Sequence, residues 1–523
     1  MTSKTKYYEI IFFLCVFIVS LVLNLTVQKY QFPNTDTNQN NLFAGLLKEQ
    51  GTFRYNNELN QKYNPQIFGI RGLLNFGNGF VPSSLPGIII ILAIFKSVSN
   101  ELVVLINPIF VFIGLYYFYK ITDKYIFKNK FYSLTTTLVY FFSGAFLYVS
   151  SVPFKDLTST SLFFVGLYYI LNAIYDKKWW NFLIFGLFAG ASTWLNYPSI
   201  IFFFPVAVLY LINIKKAFFT RGNFKNLAIC LTSFLALFIP LYIYQVELFN
   251  GFLNFNNSQF QLNQFEAFTS KSGVLNFILV LDFHKLLVNF YNQVFLISPP
   301  LILLCIMAIT YIFLNYIKEK RTSNILITLL TIILMQFLFY LGKSWSGESF
   351  IGSVGTSYAR YLLVSWGLLT VFAIYAIRLL IHNKSVLTLL AFIFIFSGLN
   401  KGLYSDMAIM YFINTSSWAN NLKEQIRRKT PENSIFFTSF YDKYIYPVRQ
   451  TAIYVAIPKE QRLNKTVSLI KALLADSIPV YIVDEKDEWA ISLENDRLYF
   501  IENGLDIKYA FGNIYKIEKG NGL

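Results

Sequence analysis

Two aspartates and one arginine stand where they could do chemistry. Asp36, in "FPNTDTNQNNLFAGLLKEQG", lies a few residues beyond the first apolar run. Asp156, in "SSVPFKDLTSTSLFF", occupies a short break between two later apolar runs. Each stands just ahead of a stretch with helical spacing, so the plainest reading of either alone is a helix cap. Two such carboxylates on one face of a membrane suggest more. They could take a proton from a hydroxyl, or offer oxygen ligands to Mg2+ or Mn2+. Arg360, in "TSYARYLLVSWGLL", sits where a loop gives way to another apolar run. It could hold an anionic oxygen or simply snorkel to the membrane surface. Lys62, Arg71, Lys155 and Lys343 are weaker cationic candidates, and Glu58 and Glu348 are further acids, all read most simply as ordinary loop charges.

The elements that must position these side chains are apolar. The chain has 523 residues, of which 55% are hydrophobic, 19% aromatic and only 14% charged, against about 25% charged in a soluble globule. Apolar runs near the bilayer-spanning length recur at 8–28, 84–96, 101–120, 131–150, 158–175, 179–195, 198–214, 225–245, 290–316, 324–341, 359–381 and 385–400. The first follows a basic flank and leads to no small-residue cleavage site, so it reads as a retained helix. The segment after "PSSLPG" is short and begins after prolines, which suits an interfacial helix better than a span. Setting it aside leaves about eleven transmembrane helices.

That count places the basic loops, such as 120–130, "IKKAFFTRGNFK" and "IKEKR", on the cytoplasmic side with the N-terminus, as the positive-inside rule requires. Segments 29–100, 151–157, 246–289 and 342–358 then lie outside a multi-pass plasma-membrane protein. The first of these is long enough to be functional, and 406–523 joins them. That last region alternates strand-like "SIFFTSF", "TAIYVAI", "PVYIVDE" and "RLYFIEN" with a helical "LNKTVSLIKALLADS", which predicts a small extracytoplasmic α/β domain. The domains expected are thus a transmembrane unit over 1–405 and a C-terminal unit over 406–523.

Charge and sulfur narrow the function. The net charge is +16, but from Asp406 onward basic and acidic residues balance, so the excess lies in membrane loops and argues against a nucleic-acid partner. Cys15, Cys230 and Cys305 all fall in apolar runs, and His284 and His382 are the only histidines. No disulfide framework or imidazole–thiolate metal site is expected.

The chain resembles the GT-C superfamily of polyprenyl-phosphate-sugar-dependent glycosyltransferases, in particular the protein mannosyltransferase and aminoarabinose transferase relatives. Asp36 matches the acidic position after the first span. "NLFAGLLKEQGTF" matches the amphipathic helix with its Gly turn, and "GNGFVPSSLPGIIIILAIF" the Pro-rich approach to a juxtamembrane helix. Asp156 matches the second acidic position, and "TSYARYLLVSWGLL" the late Arg-Tyr motif. Where relatives often have Glu after the first Asp, this chain has Thr37. The WWD-type motif of oligosaccharyltransferases is absent from the C-terminal region.

The resemblance implies a GT-C-like helical fold and a hexosyl- or pentosyltransferase. Its donor would be a polyprenyl-phosphate sugar and its acceptor a hydroxyl on a protein, lipid or glycan, met at the extracytoplasmic face. Asp36 would be the base. Asp156 would orient the acceptor or share a divalent cation with Asp36. Arg360, Arg71, Lys62 and Lys155 would bind the donor phosphate. A transporter or flippase, a cell-envelope polymerase or ligase, and a non-catalytic assembly protein are the rival classes. Transporters place ionisable groups at mid-membrane, whereas the charges here gather at span ends and in loops.

Overall fold

The computed structural model describes residues 3–28, 35–63, 67–75, 79–152, 154–214, 220–249, 282–315, 320–343, 349–381, 383–446, 448–453, 459–485 and 492–520. Every one of the eleven expected segments is helical. Among the described residues, seven helices are long and apolar enough to cross a membrane: Tyr7–Val27, Asn100–Phe127, Lys155–Asp176, Gly222–Leu248, Thr322–Leu341, Leu363–Leu380 and Lys384–Lys429. Two bent pairs raise the count to as many as nine: Lys130–Phe141 with Gly144–Ser151 at 62°, and Phe283–Phe295 with Pro299–Leu314 at 112°.

The remaining two segments explain the shortfall from eleven. Trp179–Thr193 has 15 residues, a rise of roughly 22 Å, which is short of a hydrocarbon layer of about 30 Å. The 198–214 run is interrupted, giving Ser199–Phe202 and Phe204–Ile214. The protein is a multi-pass helical membrane protein whose central helices, Lys155–Asp176 and Leu363–Leu380, are each buried along 83% of their apolar stretch.

Close helix approach depends on small residues. A Cβ built on Gly186 would lie 1.9 Å from Ser233 Oγ and 2.4 Å from the Cys230 carbonyl oxygen. Gly186→Ala is therefore expected to destabilise the fold by about 1–3 kcal/mol through overpacking. Thermal unfolding in detergent checks this, and an unchanged midpoint would contradict it.

The 29–100 segment folds over one end of the bundle. Helix Thr35–Gln50 packs on Pro86–Val98, sharing a cluster of Phe43, Ala44, Ile88, Ile89 and Leu92. Pro86 stands in the first turn of its helix, where a missing N–H breaks no helical bond. That helix has 13 residues, below spanning length, as expected. Two short strands, β1 (Leu73–Asn75) and β2 (Phe80–Pro82), pair antiparallel between these helices.

Helix Ile409–Lys429 leads into a five-stranded sheet formed by β3 (Ile435–Phe437), β4 (Gln450–Ala452), β5 (Val480–Val483), β6 (Leu505–Phe511) and β7 (Ile514–Lys519). Its order is β4-β3-β5-β7-β6. The β3 pairings with β4 and β5 are parallel, and β7 runs antiparallel to both neighbours. Helix Lys459–Ala475 matches the expected helical stretch, whereas "RLYFIEN", expected as a strand, belongs to helix Leu493–Glu502, and the last two strands, β6 and β7, form a hairpin after it. The edge strand β4 has a further partner far away in sequence. Gly69 N–H donates to the Thr451 carbonyl at 2.9 Å, and Ile453 N–H to the Ile67 carbonyl at 3.1 Å. Ile67 and Phe68 are wholly buried in the sheet's own core with Ile435, Val480 and Ile517.

Candidate functional site

Three helix ends meet beside the 29–100 segment. Asp36 lies in the first turn of Thr35–Gln50. Asp156 lies in the first turn of Lys155–Asp176. Arg360 lies in the short helix Ser357–Tyr361, just ahead of Leu363–Leu380. Arg360 Nη1 stands 3.8 Å from Asp36 Oδ2. Its Nη2 donates to Ser357 Oγ at 3.0 Å, and its guanidinium carbon lies 4.4 Å from the Phe154 ring centre.

Burial separates the two carboxylates. The Asp36 side chain is 55% exposed. Asp156 is only 4% exposed. It does not cap its helix, for the cap position is Phe154 and carries no side-chain cap bond. Asp156 Oδ1 has no hydrogen-bond partner among the described residues, and it lines a cavity shared with Ser159, Thr160, Asn196, Ser199, Gln336, Arg360 and Tyr361. That cavity holds about 10 Å3 of space for the centre of a water molecule, which is room for one water. An unsatisfied carboxylate oxygen facing a polar slot is an acceptor awaiting a donor.

Electrostatics favour a permanent cation here. Burial works against the charge on Arg360, yet Tyr361, Asp156 and Asp36 around it hold its pKa above the usual arginine value. Burial pushes the Tyr361 phenol up to about 12, with Arg360 opposing, so Tyr361 is a neutral donor at physiological pH. The Asp36–Arg360 contact is long, and with so exposed a carboxylate it is worth at most about 1 kcal/mol. It does not fix Asp36 in place.

The other nominated cations lie elsewhere. Arg71 is committed to Asp442: its Nε donates to Oδ1 at 2.8 Å and its backbone N–H to Oδ2 at 2.7 Å. Lys62 pairs with Asp476 at 2.8 Å, on the C-terminal domain. Lys155 opens the helix that carries Asp156 but does not line the cavity. Lys343 stacks its ammonium 4.1 Å from the Phe339 ring centre, and Phe339 leads through Tyr340 to Tyr361. Glu58 begins the short helix Glu58–Tyr63, and Glu348 falls outside the described residues.

A divalent cation does not fit this arrangement. Asp36 and Asp156 share one guanidinium, whose charge repels a metal ion, and among the described residues no three acidic, imidazole or thiol side chains converge. Thr37 clarifies the missing second acid. It is 1% exposed, so a glutamate there would bury a charge beside the helix packing.

The cavity's polar lining went unnominated. Ser159 and Thr160 follow Asp156 in "DLTSTSLFF", a polar run inside an apolar span that is visible in the sequence once a helix is assumed. Gln336 accepts from Ser365 Oγ at 2.6 Å and from Ser365 N–H at 3.0 Å. A glutamine in the apolar half of helix Lys320–Leu341 is its sequence signal.

No protein-family model and no curated protein matches the sequence. Solved structures do match. The crystal structure of ArnT from Cupriavidus metallidurans bound to undecaprenyl phosphate superposes with a TM-score of 0.60 at 10% identity, covering 97% of this chain and 98% of that one. The Archaeoglobus fulgidus oligosaccharyltransferase, tethered to an acceptor peptide containing the NVT sequon, gives 0.51 at 11% identity, covering 98% and 74%.

Proposed function

For a chain with the GT-C glycosyltransferase fold, we propose transfer of a sugar from a polyprenyl-phosphate donor to an acceptor hydroxyl on the extracytoplasmic face. The observation that carries this reading is the meeting of Asp36, Asp156 and Arg360 at one end of the bundle. They come from helix starts separated by more than a hundred residues.

Asp36, exposed and open to an acceptor, takes the hydroxyl proton as the acceptor oxygen attacks the anomeric carbon. The new glycosidic bond forms as the bond from that carbon to the phosphate oxygen breaks. Polyprenyl phosphate leaves with both electrons of that bond. Arg360 meets the charge that develops on the phosphate. Asp156 accepts a hydrogen bond through Oδ1 and adds its negative charge to the field around Arg360. The rival transporter reading gains nothing from this geometry, because the ionisable cluster sits at helix starts rather than midway along spans.

The deciding experiment is transfer of labelled sugar from polyprenyl-phosphate donors in membranes, comparing wild type with Asp156→Asn. The amide keeps the shape but loses the charge facing Arg360, so an activity loss of about tenfold or more is expected. Full activity in this variant would remove Asp156 from the site. No transfer by wild type across a panel of donors would refute the function.

Lys343 adds a pH dependence. Burial pulls its pKa down to about 8, so it is charged below that pH and neutral above. Lys343 lies outside the cavity and reaches Tyr361 only through the Phe339 and Tyr340 rings; on this proposal its charge adds to the positive field felt by the donor, so donor affinity should fall as pH rises through about 8. Lys343→Met should flatten that dependence in donor KM measured from pH 6.5 to 9.5. A wild-type profile already flat would exclude Lys343 from donor binding.

A further inference from the structure

The exposed Asp36 must sit at a fixed address, and its helix has anchors beyond the long Arg360 contact. Two other anchors hold its helix. On one side Lys96 Nζ donates to the Asn41 carbonyl at 2.9 Å, and Ser83 Oγ to Gln39 Oε1 at 3.1 Å. On the other, Asn38 Nδ2 donates to the carbonyl of Lys443 at 2.7 Å, across 405 residues of sequence. Asn38 is two residues from Asp36 in the same first turn, so what Asn38 grips sets where the Asp36 backbone lies.

The acceptor of that bond is itself clamped. Lys443 lies in the short helix Asp442–Ile445. Asp442 is fully buried and takes two bonds from Arg71, whose Nη2 donates to the Phe440 carbonyl at 3.1 Å while its guanidinium lies 4.8 Å from the Phe440 ring centre. Behind this loop Glu485 receives the Thr438 hydroxyl, the Ser439 N–H at 2.9 Å and the Phe440 N–H at 2.8 Å. A charged pair with this much buried bonding is rigid, since breaking it leaves an uncompensated charge in the interior. The C-terminal domain thus carries a stiff carbonyl that points at the Asp36 turn.

Resting on the sugar-transfer reading, we infer that Asn38 is a positioning residue through which the Arg71–Asp442 clamp of the C-terminal domain holds Asp36 at the reacting centre. The role sets kcat rather than donor binding, because displacing a base by an ångström spoils its alignment without touching the phosphate contacts. It also assigns Arg71 to the domain clamp and not to the donor phosphate.

The test uses the full chain in lipid nanodiscs, as Asn38→Ala, Asn38→Gln, Arg71→Ala and the double variant Asn38→Ala with Arg71→Ala. Hydrogen exchange of the peptide covering residues 35–44 is read beside kcat, KM and the thermal midpoint. Asn38→Ala should raise exchange in that peptide several-fold and lower kcat about tenfold. Its KM and thermal midpoint should stay near wild type, and Asn38→Gln should recover part of kcat. The double variant should be no slower than the worse single one, since both break the same chain of contacts. Unchanged exchange in Asn38→Ala would overturn the inference whether or not the protein transfers sugar. So would a kcat equal to wild type, or additive losses in the double variant. Absence of transfer in the wild type, with exchange behaving as described, would count against the function and leave the clamp standing.

Discussion

Asp36→Asn should lower kcat for sugar transfer by about 10²- to 10⁴-fold, the usual contribution of a positioned general base. The amide matches the carboxylate in size and still fits the first turn of its helix. It has no basic oxygen to take the acceptor proton. Folding should hardly notice, because the exposed Asp36 gains at most about 1 kcal/mol from Arg360. The decisive pattern is therefore a large fall in kcat, a donor KM near wild type and a thermal midpoint within a few degrees. Initial rates over a donor series, with melting curves on the same preparation, separate these quantities. A kcat within tenfold of wild type would mean that another group, or water alone, takes the proton.

Arg360→Met should damage both activity and folding. Arg360 is the cation both carboxylates share, and its guanidinium rests on Phe154. Removing it deprives the leaving phosphate of its counter-charge, at a cost of about 10²- to 10³-fold in rate. It also strands Asp156, which is 4% exposed. Asp156 feels Arg360 through its field and not through an ion pair, so the loss should fall below the roughly 3–5 kcal/mol of a broken buried pair. The methionine keeps the stem's packing, so that loss is electrostatic. Adding Asp156→Asn should then restore most of the stability while activity stays low. Arg360→Lys should fall between, as an ammonium keeps the charge without the planar fork. Stability that does not recover in the double variant would show that Arg360 and Asp156 are not energetically coupled.

Hydropathy alone finds the helices, because an apolar stretch in a bilayer satisfies its backbone only by coiling. The number of crossings needs two further quantities. Helix length is one, and "WWNFLIFGLFAGAST" is helical over only 15 residues. Helix breaks are the other, and the Ser143–Gly144 dipeptide marks the 62° bend locally. Asp36 and Asp156 stand out because each opens a helix next to an apolar run. Their burial, opposite in the two cases, depends on neighbours such as Tyr361 and Gln336 that lie far along the chain. Arg71 shows the limit most clearly. As a loop cation it is indistinguishable in sequence from a phosphate ligand, and its pairing with Asp442, 371 residues away, is invisible there.

The strand pairing of Gly69 and Ile67 with Thr451 and Ile453 has a consequence for how the protein is made. The early segment leaves the ribosome long before the last sheet strands exist, and Ile67 and Phe68 have no apolar shelter until those strands arrive. During synthesis this stretch must wait, unfinished, while nearly four hundred residues are threaded into the membrane. A nascent chain stalled before residue 435 would leave it open to proteases and holding chaperones, and one completed past residue 517 would close it.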